Sequence, residues 1–454
     1  MSDTIAAIAT PLGEGGVGVL RLSGEGTEAI VQEIFHLAGK KKLIKLQPRR
    51  VYFGKIIDPK TGSVLDEVLL TLFKAPHSFT CEDVAEIGAH GGMYVVSRIL
   101  QLMIDRGARL AEPGEFTKRA FLNGRLDLSQ AEAVADIISA ASERALQSAL
   151  GQLQGHLSKK INQNYDRLIS ILAQLETAID FPEDGLEFNQ REKLQAEVTS
   201  VLQELNYLAG TWRQGKIFRE GIRATLTGKP NVGKSSLLNA LLKENRAIVT
   251  PHPGTTRDLL EERIRIKDIH VVFTDSAGFH SNPEPIEAEG IARARSALQK
   301  ADLVILLFDG SEPLDQTDYN LIRETKDKQR IAVVNKSDLP EHWSIRKLAL
   351  GSDEIVRVSA KQGNGMDNLL ETIHDKMGNL SPETVVVTRE RHRYQIVKAS
   401  DSLAETLDSL QNGLSEEFIA TDIQIALNYL GTILGKTFED DLLDQIFREF
   451  CIGK

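Results

Sequence analysis

The stretch GKPNVGKSS, residues 228–236, decides how the chain is read. It matches the phosphate-binding pattern G-x-x-x-x-G-K-[ST]. At average residue frequencies that pattern arises by chance at roughly a few in 10⁵ positions, about once in fifty chains of this length. Its surroundings fit as well: IRATLT (222–227) reads as a strand and SLLNALL (236–242) as a helix. In such a strand–loop–helix unit the backbone amides and the helix N-terminus face phosphate groups. Asn231, Val232, Gly233, Lys234, Ser235 and Ser236 form the loop. Lys234 is placed to reach the β- and γ-phosphates and to offset their charge during cleavage, and Ser235 to bind Mg²⁺.

Outward from the loop, residues 217–378 alternate strand and helix patterns, the signature of a parallel sheet. VVFTDSAG (271–278) is a strand ending in Asp275-x-x-Gly278, with Ser276 and Ala277 between them. Asp275 can hold the metal through water and Gly278 can sense the γ-phosphate. AVVNKSD (332–338) ends a strand with Asn335, Lys336, Ser337 and Asp338. A carboxylate at Asp338 accepts the N1 and N2 hydrogens of guanine, which adenine cannot supply. VSAK (358–361) brings Ser359, Ala360 and Lys361, whose backbone donors suit the guanine oxygen. Order and spacing resemble the translation-factor class of GTPases, so the expected nucleotide is GTP. Where Ras-type GTPases carry a glutamine that orients the attacking water, this chain has Phe279, followed by His280.

The flanks read differently. GVGVLRL (16–22), VYFGKII (51–57) and DEVLLTLF (66–73) have strand patterns. In MYVVSRILQLMI (93–104), Met93, Val96, Leu100, Met103 and Ile104 recur at helical spacing, which makes residues 1–118 an α+β domain. Leu146, Leu150, Leu153, Leu157, Ile161, Tyr165, Leu168, Leu172, Leu175 and Ile179 follow by threes and fours, as one long amphipathic helix that tolerates Gly151 and Gly155. FPEDG (181–185) breaks it, and Leu194, Val198, Val201, Leu205, Leu208 and Trp212 form another. Helical patterns resume after Pro382 and run to Phe450. The expected architecture is multidomain: an N-terminal α+β domain (1–118), an all-α bundle in two halves (119–216 and 379–454) and an α/β P-loop domain of Ras type (217–378) inserted between the halves. A separate C-terminal helical domain is the other arrangement this pattern allows.

The composition is that of an ordinary globular chain, 41% hydrophobic and 26% charged. The longest apolar run, LVILLF (303–308), falls far short of the ~20 residues a membrane helix needs and fits a buried strand. No secretory leader pattern opens the sequence, and Cys81 and Cys451 form neither a metal-ligand spacing nor a disulfide framework, so a cytoplasmic protein is expected. A formal charge of −10 excludes a protein that coats nucleic acid, and any such contact must be local. The candidates are GKKKLIKLQPRR (39–50) and TRERHR (388–393), each of which also reads as a solvated loop.

Further motifs carry a more specific resemblance. TPHPGTTRD (250–258), after a P-loop with Asn231, resembles the switch of potassium-dependent GTPases. The resemblance implies K⁺ held by Asn231 and by backbone oxygens of Thr250, His252 and Thr255, with Pro251, Pro253 and Gly254 completing the switch and Thr256 on Mg²⁺. A cation there offsets charge developing between the β- and γ-phosphates. ATPLGEGGVGVLRLSG (9–24), HSFTCEDVAEIGAHGG (77–92), PGEFTKRAFLNGRLDLSQAEAV (113–134) and the terminal FCIGK (450–454) resemble the MnmE (TrmE) family of tRNA modification GTPases, over the whole chain.

That family implies an N-terminal domain similar to folate-binding aminomethyltransferase domains, which dimerises, and a heterotetramer with the flavoprotein MnmG (GidA). Together they use a tetrahydrofolate derivative (5-formyl- or 5,10-methylene-tetrahydrofolate) to place a carboxymethylaminomethyl or aminomethyl group on the wobble uridine of certain tRNAs. Carried over by position, the folate contacts are Arg21, Glu82, Arg125 and Lys454, each of which also reads as a surface ion-pair member. Glu287 in EPIEAEG (284–290) matches a switch glutamate that assists hydrolysis when two G domains meet. Cys451 is a nucleophile or general base for one-carbon transfer, or else a small apolar residue capping the last helix. DSAG in place of the commoner DTAG, and Phe279 in place of a smaller aliphatic residue, depart from the family pattern.

Two other functions stay open on the sequence. One is a GTP switch in ribosome assembly without modification activity, although no second P-loop or G-x-x-G loop after residue 378 supports it. The other is a folate-binding protein regulated by GTP, with no RNA role.

Overall fold

Two sheets organise the chain, one antiparallel and one parallel, and each follows from the patterning of its strands. The computed structural model describes residues 3–38, 46–180, 188–245, 262–273, 296–343, 354–378, 385–438, 440–448 and 450–454. By their packing these group into two compact units. The first comprises 1–138, 150–206 and 394–454, and the second 139–149 and 207–393.

In the first unit the strands are β1 (Ile5–Ile8), β2 (Gly15–Ser23), β3 (Phe35–Leu37), β4 (Val51–Ile57), β5 (Val64–Phe73), β6 (Val84–Gly91) and β7 (Arg109–Leu110). They form one sheet in the order β3-β4-β5-β6-β2-β1-β7, antiparallel except where β7 joins β1. Alternation along β5 and β6 turns Val68, Leu70, Leu72, Ala85 and Ile87 into the core. Helix Met93–Asp105 packs there through Val96, Ile99, Leu102 and Met103. The buried stripe is therefore rotated from the expected one, and Met93 is exposed. Ile99 and Leu102 meet the sheet directly and win the core face over Met93, Leu100 and Ile104.

The expected single helix through residue 179 is two helices, Glu143–Leu153 and His156–Asp180. Gly155 takes φ +81°, a left-handed conformation that ends a helix without Cβ strain. Apolar spacing carried across that break because both helices bury a stripe. Helix Glu416–Leu434 packs against His156–Asp180, so segments from both sides of the α/β insertion share one bundle. Phe121, Leu128, Ala131, Leu443, Ile446, Phe447 and Phe450 form a further cluster that seats helix Asp440–Arg448 on helices Glu115–Leu122 and Leu128–Ser139.

In the second unit the strands are β8 (Ile222–Thr227), β9 (Glu262–Ile266), β10 (Ile269–Phe273), β11 (Leu303–Asp309), β12 (Arg330–Asn335) and β13 (Glu354–Arg357). Their order is β13-β12-β11-β8-β10-β9, parallel except for the β9–β10 hairpin. Every residue of β11 and β12 is buried, as a sheet covered on both faces requires. TRERHR is not a solvated loop: Thr388, Arg389 and His392 are buried, and helix Glu390–Gln411 begins inside it. The burial of Val386 and Val387 beside it draws the basic residues inward.

A charge network around the buried Arg119 ties the start of the chain to helix Glu115–Leu122. Arg119, only 1% exposed, donates to Asp3 Oδ1 at 2.8 Å, Glu115 Oε1 at 3.0 Å and Glu82 Oε2 at 3.1 Å. Arg109 adds bonds to Asp3 at 2.7 Å and to Glu115 at 2.6 Å. Burial pushes the Asp3 and Glu115 carboxyls up, but the hydrogen bonds from Arg109 and Arg119 outweigh it, so both lie below the usual carboxylate range. Their contribution is fully present above the unfolded values of about 4 and is lost as pH falls through the lowered folded values. Calorimetry between pH 5 and pH 3 is expected to show the transition of this unit moving down. A transition that stays flat across that range would remove the network from the stability of the fold.

Candidate guanine-nucleotide site and N-terminal cavity

The P-loop runs from the end of β8 into helix Lys234–Asn245. Asn231 at φ +63° and Gly233 at φ +98° curl the backbone into the left-handed region. A Cβ at Gly233 would overlap the Asn335 side-chain amide, so only glycine fits there. Lys234 Nζ lies at the centre of the curl, 2.8 Å from the Gly228 carbonyl oxygen and 2.7 Å from that of Lys229. Burial lowers its pKa. The far side is pinned by Lys229, whose ammonium lies 2.8 Å from Asp318 Oδ2 and 3.1 Å from Asp315 Oδ2. Those two aspartates also form the capping box of helix Gln316–Glu324. Sequence reading missed all three, although D-x-x-D before a helix was a visible start signal.

The NKSD and VSAK motifs converge with the P-loop through one buried side chain. Asn335 donates to the Val232 carbonyl at 2.8 Å, and its Oδ1 accepts from the Ala360 amide at 3.0 Å. P-loop, NKSD and VSAK are thereby fixed to one another. Lys336, at φ +62°, forms an ion pair with Asp309, the last residue of β11. Asp309 was also missed, though a carboxylate ending a fully apolar strand at the sheet's C-terminal edge is a recognisable position for ligand chemistry. Ser337 is held by a 3.1 Å bond from its amide to the Val358 carbonyl. Asp338 accepts from the Ser359 hydroxyl at 2.6 Å, and that bond chiefly holds its carboxyl below the usual range. The site so built presents an ionised carboxylate beside backbone donors, the complement of a guanine edge.

Ser235 and Ser236 open the helix after the loop, and Lys361 follows Ala360. Thr250, Pro251, His252, Pro253, Gly254, Thr255, Thr256, Asp275, Ser276, Ala277, Gly278 and Glu287 lie outside the described residues.

A second group of side chains gathers in the N-terminal unit. Arg21, on β2, gives Nε and Nη2 to Glu86 Oε1 at 3.0 and 2.8 Å, and Nη1 to the Gly453 carbonyl at 3.3 Å. The C-terminal tail therefore reaches the first sheet. Gly453 permits it, because a Cβ there would meet the backbone of Ile8 and Ala9. Lys454 is half-buried, and burial together with the Arg21 charge lowers its pKa against the opposing pull of Glu86 and Cys451. The thiol of Cys451 is free and exposed. It does not sit as an apolar cap within the helix, which ends at Arg448.

The Phe79 ring lies 5.5 Å from the Arg21 guanidinium and 4.9 Å from that of Arg125, whose Nη1 donates to the Phe79 carbonyl at 2.7 Å. Glu82 is drawn into the Arg119 network and also accepts from Ser23 Oγ at 2.7 Å. The carboxylate that opens on the adjacent cavity of about 570 Å³ is Glu86, beside Phe79 and Arg125. Glu86 was not singled out from the sequence. It follows Glu82 by four residues, and only the strand register of β6 against β2 shows which one meets Arg21.

The P-loop, the guanine-facing motifs and the doubly covered parallel sheet define a GTPase of the P-loop class, carrying an N-terminal α+β domain and a helical bundle. Profiles of the MnmE helical domain and of the GTP-binding protein TrmE N-terminus match residues 128–451 and 4–125. Three proteins described as tRNA modification GTPase MnmE align along the chain. That of Natranaerobius thermophilus is 42% identical over 457 residues, covering 100% of this chain and 99% of the relative. Those of Moorella thermoacetica and Clostridioides difficile are 44% and 42% identical, each covering 100% of both chains. Among solved structures, a point variant of Aquifex aeolicus Era bound to GDP·AlF4⁻ is 25% identical over 40% of this chain and 66% of its own, with a TM-score of 0.27. The chain belongs to the tRNA modification GTPase MnmE family.

No helix among the described residues is long and apolar enough to cross a membrane.

Proposed function

We propose that this protein is the GTP-hydrolysing subunit of an enzyme that adds a carboxymethylaminomethyl or aminomethyl group to C5 of the wobble uridine in certain tRNAs. It works in the cytoplasm as a homodimer joined through the N-terminal domain, with the flavoprotein MnmG (GidA) as partner. The working division is a folate and dimer domain at 1–118, helical segments at 119–216 and 379–454, and a G domain at 217–378. The observation that carries this reading is the bond from Arg21 to the Gly453 carbonyl. It joins a tail bearing a free thiol to an aromatic, charged cavity, in a chain that also holds a guanine-nucleotide site.

Arg21, Arg125 and Lys454 are the proposed folate contacts, with Glu86 in place of the expected Glu82, because Glu82 is held by Arg119 and Ser23 while Glu86 lines the cavity. The Phe79 ring suits a flat heterocycle, and the cationic side chains around it suit that ligand's carboxylates. Tetrahydrofolate held there would supply a one-carbon unit, with Cys451 as its nucleophile or general base.

In the G domain the hard oxygen donor of Ser235, with that of Thr256, would hold Mg²⁺. Asn231, with backbone oxygens of Thr250, His252 and Thr255, would hold K⁺. Asn231 takes a left-handed backbone conformation at an exposed position of the loop. Such cations offset charge on the phosphates. Lys234 neutralises the β- and γ-phosphates, and Glu287 assists water once two G domains meet.

Mass spectrometry of wobble-uridine nucleosides from a strain lacking the gene tests the reading. The modification is expected to vanish and to return with the intact gene. Unchanged nucleosides would favour the GTP-switch role in ribosome assembly. Cys451→Ser, at an exposed position, is expected to melt with the parent protein yet leave the nucleosides unmodified. Full modification by that variant would rule the thiol out of the chemistry.

A further inference from the structure

We propose that Arg49, with His77 and Arg125, forms a subsite at the mouth of the N-terminal cavity for the γ-linked glutamyl tail of a folate, so that the protein prefers polyglutamylated over monoglutamylated ligand. This subsite rests on the folate reading of the same cavity and adds Arg49, a residue of the basic stretch 39–50.

The wall of the cavity is chemically divided. Phe73 and Phe79 give it an apolar floor; among the described residues Glu86 is the one carboxylate lining it, and Arg49, His77 and Arg125 are its basic side chains. At about 570 Å³ it falls within the range of small-molecule sites. The charge of Glu86 is already answered by Arg21, which binds its Oε1 twice. The two arginines of the wall are therefore in excess, and the cavity as a whole favours an anion. Arg125 spends one N–H on the Phe79 carbonyl. The Arg49 guanidinium makes no hydrogen bond or ion pair among the described residues.

The backbone holds Arg49 in place. Its amide donates to the Leu72 carbonyl at 2.7 Å, so the residue is stitched to β5 just before the strand reaches Phe73 in the cavity floor. A cation fixed by its backbone at a cavity rim, with no partner among the described residues, is an arrangement a carboxylate completes.

A folate matches this division end to end. Its ring carries an amidine-like edge, which the second oxygen of Glu86 can accept, and its ring faces suit Phe79. Its other end carries carboxylates, one more for every added γ-glutamate. Guanidinium groups bind such carboxylates bidentately. Arg49, His77 and Arg125 are all exposed, so a tail lying across them can lengthen into solvent without steric limit.

Titration calorimetry of the full-length protein with 5-formyltetrahydrofolate bearing one glutamate, and with its triglutamate, decides the matter. Wild type is expected to bind the triglutamate about five- to tenfold more tightly, with the gap narrowing as salt rises. Arg49→Ala should lose most of that preference while its affinity for the monoglutamate falls by a smaller factor. Arg49→Lys, which keeps the charge and the bulk, should keep part of the preference, and this separates loss of a charge from loss of fold. Equal binding of the two ligands by wild type would overturn the subsite, as would an undiminished preference in Arg49→Ala. If wild type binds neither ligand, the folate reading fails with it.

Discussion

The Asp338→Asn protein is expected to lose GTP turnover by about 10³-fold or more and to take up xanthosine triphosphate in its place. Guanine offers two hydrogens, from N1 and N2, and an ionised carboxylate accepts both. The Asp338 carboxyl is held ionised by the bond from Ser359 Oγ. An asparagine amide turns one donor toward the N2 hydrogens and leaves that pair of donors facing each other. Xanthine carries a carbonyl at C2, so the same amide donor then finds an acceptor. The discrimination is large because a site built to receive hydrogen bonds rejects a ligand that leaves them unmade. Side-by-side turnover with both nucleotides checks it. An unchanged preference for GTP would mean that Asp338 does not read the base, and the assignment of NKSD would have to be withdrawn.

Arg119→Met is expected to destabilise the N-terminal unit by about 3 kcal/mol or more. The guanidinium is almost wholly buried and bridges Asp3, Glu82 and Glu115. Methionine fills much of the volume but leaves the Glu115 carboxylate, which has 9% of its side chain exposed, without one of its two arginines. Arg109 still holds Glu115, which keeps the figure toward the low end of what breaking a buried pair costs. For a unit of this size the first thermal transition should fall by roughly 6–12 °C. Adding Glu115→Gln to Arg119→Met should recover part of the loss, because the stranded charge is then gone. A transition within about 2 °C of the parent in the single variant would show that the network contributes little.

What was legible in the sequence, and what was not, divides along physical lines. The strand Val51–Ile57 and the run Leu303–Asp309 were visible because alternation and continuous burial leave a mark on residue choice. The P-loop was visible because its curl demands glycine at 233 and its chemistry demands lysine at 234. Helix Met93–Asp105 was found, but its buried face was misjudged, since Met93, Leu100, Ile99 and Leu102 are all apolar and only the sheet decides among them. The break at Gly155 was hidden because leucine spacing continued on either side of it. TRERHR looked solvated from its charge alone, and long-range packing buried it. At the sites, the partners that could not be read are those set by register or by distant sequence: Glu86 opposite Arg21, Arg119 behind Glu82, and Asp309 beneath Lys336.

The contact between Arg21 and Gly453 spans 432 positions in the chain. During synthesis the first sheet leaves the ribosome long before its last partner exists. At about 5–20 residues per second the interval is roughly 20–90 seconds. For that time β1 and β2 are present while the seat of the tail on Ile8 is vacant, and Phe121 and Leu128 await the aromatic residues of the final helix. The part of the molecule made first is thus the part finished last, which gives nascent chains a window in which this surface is open to chaperones.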